Sequence, residues 1–133
     1  MRYMLMMHAP RAGWKDAGIG TWPPEDIRTH IDFMINFNKG LTQSGELVDA
    51  QGLSLPEDAR IVRATSGAPA VTDGPFPEAK EFLAGFWLVD VETPDRAYEI
   101  ASRISAAPGK GGTPMNMPIE VRQVMSGPPP EFL

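Results

Sequence analysis

Phe82-Leu83-Ala84-Gly85-Phe86-Trp87-Leu88-Val89-Asp90-Val91 is aromatic or aliphatic at nearly every position, the composition of a strand set deep in a sheet. No other stretch of the chain carries so strong a strand signal. Gly85 inside it predicts a bulge or a close approach of another backbone. Downstream, Thr93-Pro94-Asp95 reads as an N-cap, a first-turn proline and a first-turn acid, the opening of a helix. Ala97, Ile100, Ala101 and Ile104 continue it with the i, i+3, i+4, i+7 stripe, and Pro108-Gly109 stops it. A glycine-rich link, Gly109-Lys110-Gly111-Gly112, leads to Ile119-Glu120-Val121-Arg122-Gln123-Val124, whose alternation fits a last strand with one buried face.

Upstream, residues 3 to 8 alternate Tyr3, Leu5, Met7 with Met4, Met6, His8. Both sets are mainly apolar, which predicts a central strand covered on both faces. The chain then leaves the sheet for the loop Ala9 to Pro23, a natural rim for a pocket. Pro23-Pro24-Glu25-Asp26 places proline and acids in a first helical turn, and a helix is expected from about residue 24 to 44, with Gly45 as its left-handed cap. Ile31, Met34, Ile35, Phe37 and Leu41 fall on one broad arc. His30 and Asn38 interrupt that arc. A buried polar group without a partner costs about 1–3 kcal/mol, so each either bonds to backbone or water or lines a polar cavity between helix and sheet. Residues 46 to 53 read as a second strand, and Arg60 to Ala64 with Ala70 to Thr72 as a hairpin inserted into the main sheet around Ser66-Gly67-Ala68-Pro69.

The order is therefore β-α-β, a hairpin, β-α-β: an α+β, ferredoxin-like arrangement with both helices on one face of an antiparallel sheet. The other face is also rich in apolar side chains and has no cover within one chain, so a second copy is the simplest cover. Residues 1 to 126 read as one domain, and 127 to 133 as a proline-rich tail that prevents further pairing.

Composition narrows the function. The chain has 133 residues and no cysteine, which excludes a disulfide scaffold, a thiolate metal site and a cysteine nucleophile. A net charge of −5 argues against nucleic acid and anionic lipid as partners. The apolar N-terminal run is too short for a signal peptide or a membrane span, so a cytoplasmic location is expected. Two histidines without metal-ligand spacing predict no metal, and the lack of phosphate-binding glycine motifs predicts no nucleotide cofactor.

Asp73-Gly74-Pro75-Phe76, followed by Lys80-Glu81 and Ala84-Gly85-Phe86-Trp87-Leu88, resembles the DGPF branch of the YCII-related domain family. Phe37-Asn38, Gly45, Gly52-Leu53 and Glu120-Val121-Arg122-Gln123-Val124 extend the likeness over nearly the whole chain. The resemblance implies a dimeric α+β barrel of two ferredoxin-like subunits facing each other by their sheets. It also implies a histidine–aspartate pair as an acid/base dyad, carried here by His30, and regulation together with extracytoplasmic-function sigma factors.

Imidazole exchanges protons near neutral pH, and a carboxylate fixes its tautomer. Asp73 is the candidate partner for His30, held rigidly by its turn or merely bonding the backbone there. His8, Asn38, Phe76, Lys80, Trp87 and Arg122 are candidate ligand contacts. For each, an ordinary structural role stands beside the functional one: Lys80 in a surface ion pair, Trp87 in the core, Arg122 paired with Glu46 or Glu120. Two functions are expected on these grounds. The first is a homodimeric small-molecule-binding or regulatory module with a sigma-factor-related protein partner. The second is a cofactor-free acid/base enzyme acting on a small organic acid.

Overall fold

The computed structural model describes residues 1–133, apart from the side chains of Asp16 and Ala17. The chain runs β1 (Arg2–Pro10), a short helix α1 (Trp14–Ala17), α2 (Pro24–Gln43), β2 (Leu47–Gly52), β3 (Arg60–Arg63), β4 (Ala70–Asp73), β5 (Glu81–Asp90), α3 (Pro94–Ser105) and β6 (Ile119–Gln123). Four strands form an antiparallel sheet in the order β2-β5-β1-β6. This is the ferredoxin-like α+β arrangement, and it places the two most apolar strands in the middle.

Side chains alternate across a sheet, and that alternation divides the molecule. Tyr3 and Leu5 of β1 and Trp87 and Val89 of β5 point to one face, where they form a buried cluster with Leu41 of α2 and Ala97, Ile100, Ala101 and Ile104 of α3. Thr93 caps α3 by accepting a hydrogen bond from the Arg96 N–H. Gly45, at φ 79°, ends α2 in the left-handed region. The Glu46 N–H then returns to the Leu41 carbonyl at 2.9 Å and the Gly45 N–H to that of Thr42 at 3.1 Å, the paired bonds of a Schellman cap.

Beyond that cap Glu46 meets Arg96 of α3 in a two-pronged pair, Nε to Oε2 at 2.7 Å and Nη2 to Oε1 at 2.8 Å. The guanidinium, assisted by the Ser44 hydroxyl and opposed by partial burial, lowers the Glu46 carboxyl to a pKa of about 2. The pair ties the turn after α2 to the first turns of α3.

Gly85 meets both expectations placed on it. The pairing of β1 with β5 slips between Met7 and His8, so that Ala84 is the extra residue of a bulge. A Cβ on Gly85 would also stand 2.9 Å from the Gln51 carbonyl oxygen.

Two features differ from what the sequence predicted. The hairpin does not enter the main sheet: β3 and β4 pair only with each other, in register from Arg60↔Asp73 to Arg63↔Ala70. They form an exposed arm on which Val62 and Val71 oppose each other, 60% and 57% open to solvent. The inward face of α2 is also rotated from the expected arc. Ile31 and Ile35 point outward, 47% and 59% exposed, while Ile27, His30, Met34, Phe37, Asn38 and Leu41 are half-buried or buried. The two polar residues turn inward because each finds a partner there.

Candidate functional site

The bulge and the loops around it open a cavity of about 390 Å³ at one end of the helix-covered face. Its floor is sheet: Met7, Phe82 and Ala84. The segment from Ala12 to Trp22, inside the loop that the sequence marked as a pocket rim, supplies Trp14, Ile19 and Trp22, and the segment after β2 supplies Leu53, Ser54 and Leu55. Met115 and Met117 close it from the link before β6. Trp14 stands edge-on to Phe82 with ring centroids 4.9 Å apart, which braces that wall.

His30 is the only ionisable side chain among the described lining residues. Its Nδ1 lies 3.0 Å from the Pro108 carbonyl oxygen. A carbonyl only accepts, so Nδ1 carries the hydrogen and donates it, and in the neutral ring Nε2 keeps the lone pair. Among the described residues Nε2 has no hydrogen-bond partner. Trp22 presses edge-on against the imidazole at 5.7 Å between centroids. The carbonyl is itself held in place: the Gly111 N–H donates to Asp26 Oδ2 at 2.9 Å, fastening the link after α3 to the first turn of α2.

A smaller space of about 280 Å³ adjoins the first, sharing Met7, His30 and Ala84, and takes in Asn38 and Trp87. Here the Trp87 indole N–H donates to Asn38 Oδ1 at 2.9 Å. Trp87 is a core residue, 7% exposed, and Asn38 is the acceptor its buried N–H requires. The structure thus brings His30, Asn38 and Trp87 together along one helix–sheet seam.

It leaves the other sequence candidates elsewhere within the chain. Asp73 closes β4 with its side chain 94% exposed and its nearest cation Arg60 at 3.6 Å; it does not line the cavity that holds His30. In one subunit the tautomer of His30 is set by a backbone carbonyl, not by that carboxylate. Phe76 is 57% exposed, and the carbonyls of Phe76 and Pro77 accept from Arg11 Nη1 at 2.9 and 3.1 Å. Lys80 is exposed, its carbonyl taking the Arg11 N–H. His8 lies on the sheet face without helices, with Nε2 2.9 Å from Glu120 Oε1. Arg122 is exposed on that same face. Glu46 and Glu120, its two expected partners, are occupied by Arg96 and His8.

That second face has its own pattern. Register and alternation place Met4, Met6, Leu83, Phe86 and Leu88 at its centre. Glu120 and Arg122 flank them on β6, and Asp49 and Gln51 on β2.

Sequence reasoning singled out His30 but missed the indoles, methionines and leucines around it. Trp14 opens the four-residue α1, and Trp22, Met115 and Met117 sit in irregular segments; none belongs to an element long enough for periodicity to report the direction of a side chain. Among the described residues no group of three His, Asp or Glu side chains is placed to hold a metal ion. Among the described residues no helix is long and apolar enough to cross a membrane.

Comparison with known proteins adds two findings. Residues 1–114 match the family model described as the YCII-related domain. An uncharacterised protein of Rhizobium meliloti (strain 1021) is 30% identical over 86 residues, which span 65% of this chain and 69% of that protein.

Proposed function

The chain belongs to the YCII-related domain family, and from that premise we propose that it is a cytoplasmic homodimer that binds a small molecule in the cavity beside His30. The observation that carries the reading is the cavity itself. It is concave, walled by aromatic and aliphatic side chains, and equipped with one oriented hydrogen-bonding group, the usual make-up of a ligand site.

The homodimer draws its support from the second face of the sheet. An apolar centre of methionine, leucine and phenylalanine inside a rim of Glu120, Arg122, Asp49 and Gln51 has the anatomy of a protein interface. Two such faces in contact give the dimeric α+β barrel and bury both apolar centres at once. A regulatory role beside a sigma-factor-related partner rests on the resemblance of the Asp73 to Trp87 stretch to the DGPF branch.

A second reading is favoured by one contact. The Pro108 carbonyl supplies one of the two things a carboxylate gives in an acid/base dyad: it fixes the tautomer and leaves the Nε2 lone pair turned away from itself. A cofactor-free proton transfer by His30 is the enzyme form of the same site. Asp73 of a partner subunit, carried on the β3–β4 arm, is the route by which the expected His30–Asp73 pair would still assemble.

A mixed fragment library followed by ¹H–¹⁵N NMR tests the binding reading. Fragments are expected to shift the indole N–H signals of Trp14 and Trp22, and Ala12→Phe, which narrows the mouth from an exposed loop, is expected to abolish those shifts. Fragments that bind equally well to the Ala12→Phe protein would place binding elsewhere and count against the cavity.

A further inference from the structure

We infer that the ligand is an uncharged ring compound bearing a hydroxyl or N–H donor, and not the small organic acid that the sequence suggested. The inference rests on the cavity being the binding site, and it follows from three observations on the lining.

The first is charge. Neither lysine nor arginine is among the described residues that line the cavity. The two side chains outside the described residues are an aspartate and an alanine, so neither adds a cation. With His30 in its neutral form, a carboxylate entering this space gives up its hydration and gains no positive charge, and an anion buried in that way is strongly disfavoured.

The second is polarity. Two indoles, a phenyl ring, two leucines and three methionines surround the space. Flat indole and thioether surfaces suit a ring, since sulfur and aromatic edges both pack favourably against π faces. A volume of about 390 Å³ admits a one- or two-ring molecule.

The third is direction. His30 Nδ1–H is spent on the Pro108 carbonyl at 3.0 Å. The neutral imidazole therefore offers the cavity an acceptor, Nε2, and an acceptor selects ligands that donate. A ketone or an ether of the same shape cannot satisfy it, whereas a phenolic or alcoholic O–H can. Specificity of this kind is enforced chiefly against the wrong ligand, because an analogue lacking the donor leaves the desolvated nitrogen unpaired.

Three probes that share one ring system separate these terms: 2-naphthol, 2-methoxynaphthalene and 2-naphthoate, titrated by calorimetry at pH 8 with the indole N–H signals of Trp14 and Trp22 as a positional readout. 2-Naphthol is expected to bind, 2-methoxynaphthalene about 10-fold more weakly, and 2-naphthoate at least about 100-fold more weakly. In His30→Leu the discrimination between naphthol and its methyl ether is expected to vanish while weak binding of both persists. A purely structural role for His30 would weaken both probes and keep their ratio.

If 2-naphthoate binds as tightly as 2-naphthol and shifts the same indole signals, the ligand class proposed here is wrong and the cavity stands. If 2-naphthol and its ether bind equally to the wild-type protein, the acceptor role of Nε2 is wrong. If none of the three moves Trp14 or Trp22, the inference falls together with the cavity reading on which it rests.

Discussion

Phe86→Asp is expected to turn a sedimenting dimer into a folded monomer. Phe86 stands at the middle of the helix-free face, opposite Met6 on one side and Gln51 on the other, and takes no part in the buried cluster beneath the helices. The substitution therefore leaves the core intact. In a two-fold pair it sets two carboxylates inside one apolar interface, each losing solvent without a cation at the centre of the face. Charges buried in that manner cost several kcal/mol, and a dissociation constant raised by at least about 100-fold is the expected outcome in sedimentation equilibrium. Ile35→Asp serves as the control. Ile35 is 59% exposed on the outer side of α2, so this variant should remain dimeric. A wild-type protein that sediments as a monomer at tens of micromolar, a concentration at which a stable interface is filled, would refute the face-to-face pairing outright.

The second large effect concerns the acid limb of stability. The Glu46 carboxyl sits at a pKa of about 2 in the fold, against an ordinary value of 4.5, chiefly because the Arg96 side chain donates to it. A carboxyl lowered on folding contributes its full stabilisation above pH 4.5 and loses it as the pH falls from there toward 2. The Glu46 side chain is 17% exposed and that of Arg96 32%, so water screens the pair in part, and about 1–2 kcal/mol is a fair magnitude. Glu46→Gln should cost roughly that much at pH 7 and should make the unfolding free energy less dependent on pH between 4.5 and 2. Urea melts at several pH values measure both. An unchanged acid limb in Glu46→Gln would mean that other carboxylates set it.

Much of the fold was legible because strong local signals coincide with long elements. The apolar run from Phe82 and the alternation from Tyr3 became the two central strands β5 and β1, and Thr93 and Gly45 marked helix ends with side-chain and backbone chemistry that can be read directly. The misreadings share a physical cause. On α2, hydrophobicity alone drew the arc through Ile31 and Ile35, whereas burial goes to the residues that find partners: His30 with the Pro108 carbonyl, Asn38 with the Trp87 indole. Both partners lie far along the chain, and neither is announced near the helix. The hairpin was recognised from its strand pieces, but whether it joins a larger sheet depends on neighbours that its own sequence does not specify.

Of the cavity, His30 and the rim loop from Ala9 to Pro23 were legible, and of the adjoining space Asn38 and Trp87. His30 stood out as an imidazole on an apolar helix face, while the composition of its surroundings was hidden in two loops and a glycine-rich link. That composition, Trp14, Trp22, Met115 and Met117 around one imidazole, is the ground on which a neutral ring is proposed in place of a small acid. Asp73 lies on the exposed β3–β4 arm and does not line the cavity of its own chain.

The tautomer of neutral His30 bears most directly on the claim that Pro108 orients this imidazole toward a ligand. Long-range ¹H–¹⁵N correlation spectra at pH 8, assigned with His8→Gln so that only one imidazole remains, distinguish a protonated Nδ1 from a protonated Nε2. The Nδ1–H form is expected, with Nε2 showing the shift of an unprotonated nitrogen that moves when 2-naphthol is added. An Nε2–H form, or the mixture found in free histidine, would show that the Pro108 carbonyl does not orient the ring and that His30 is not the acceptor around which this cavity is built.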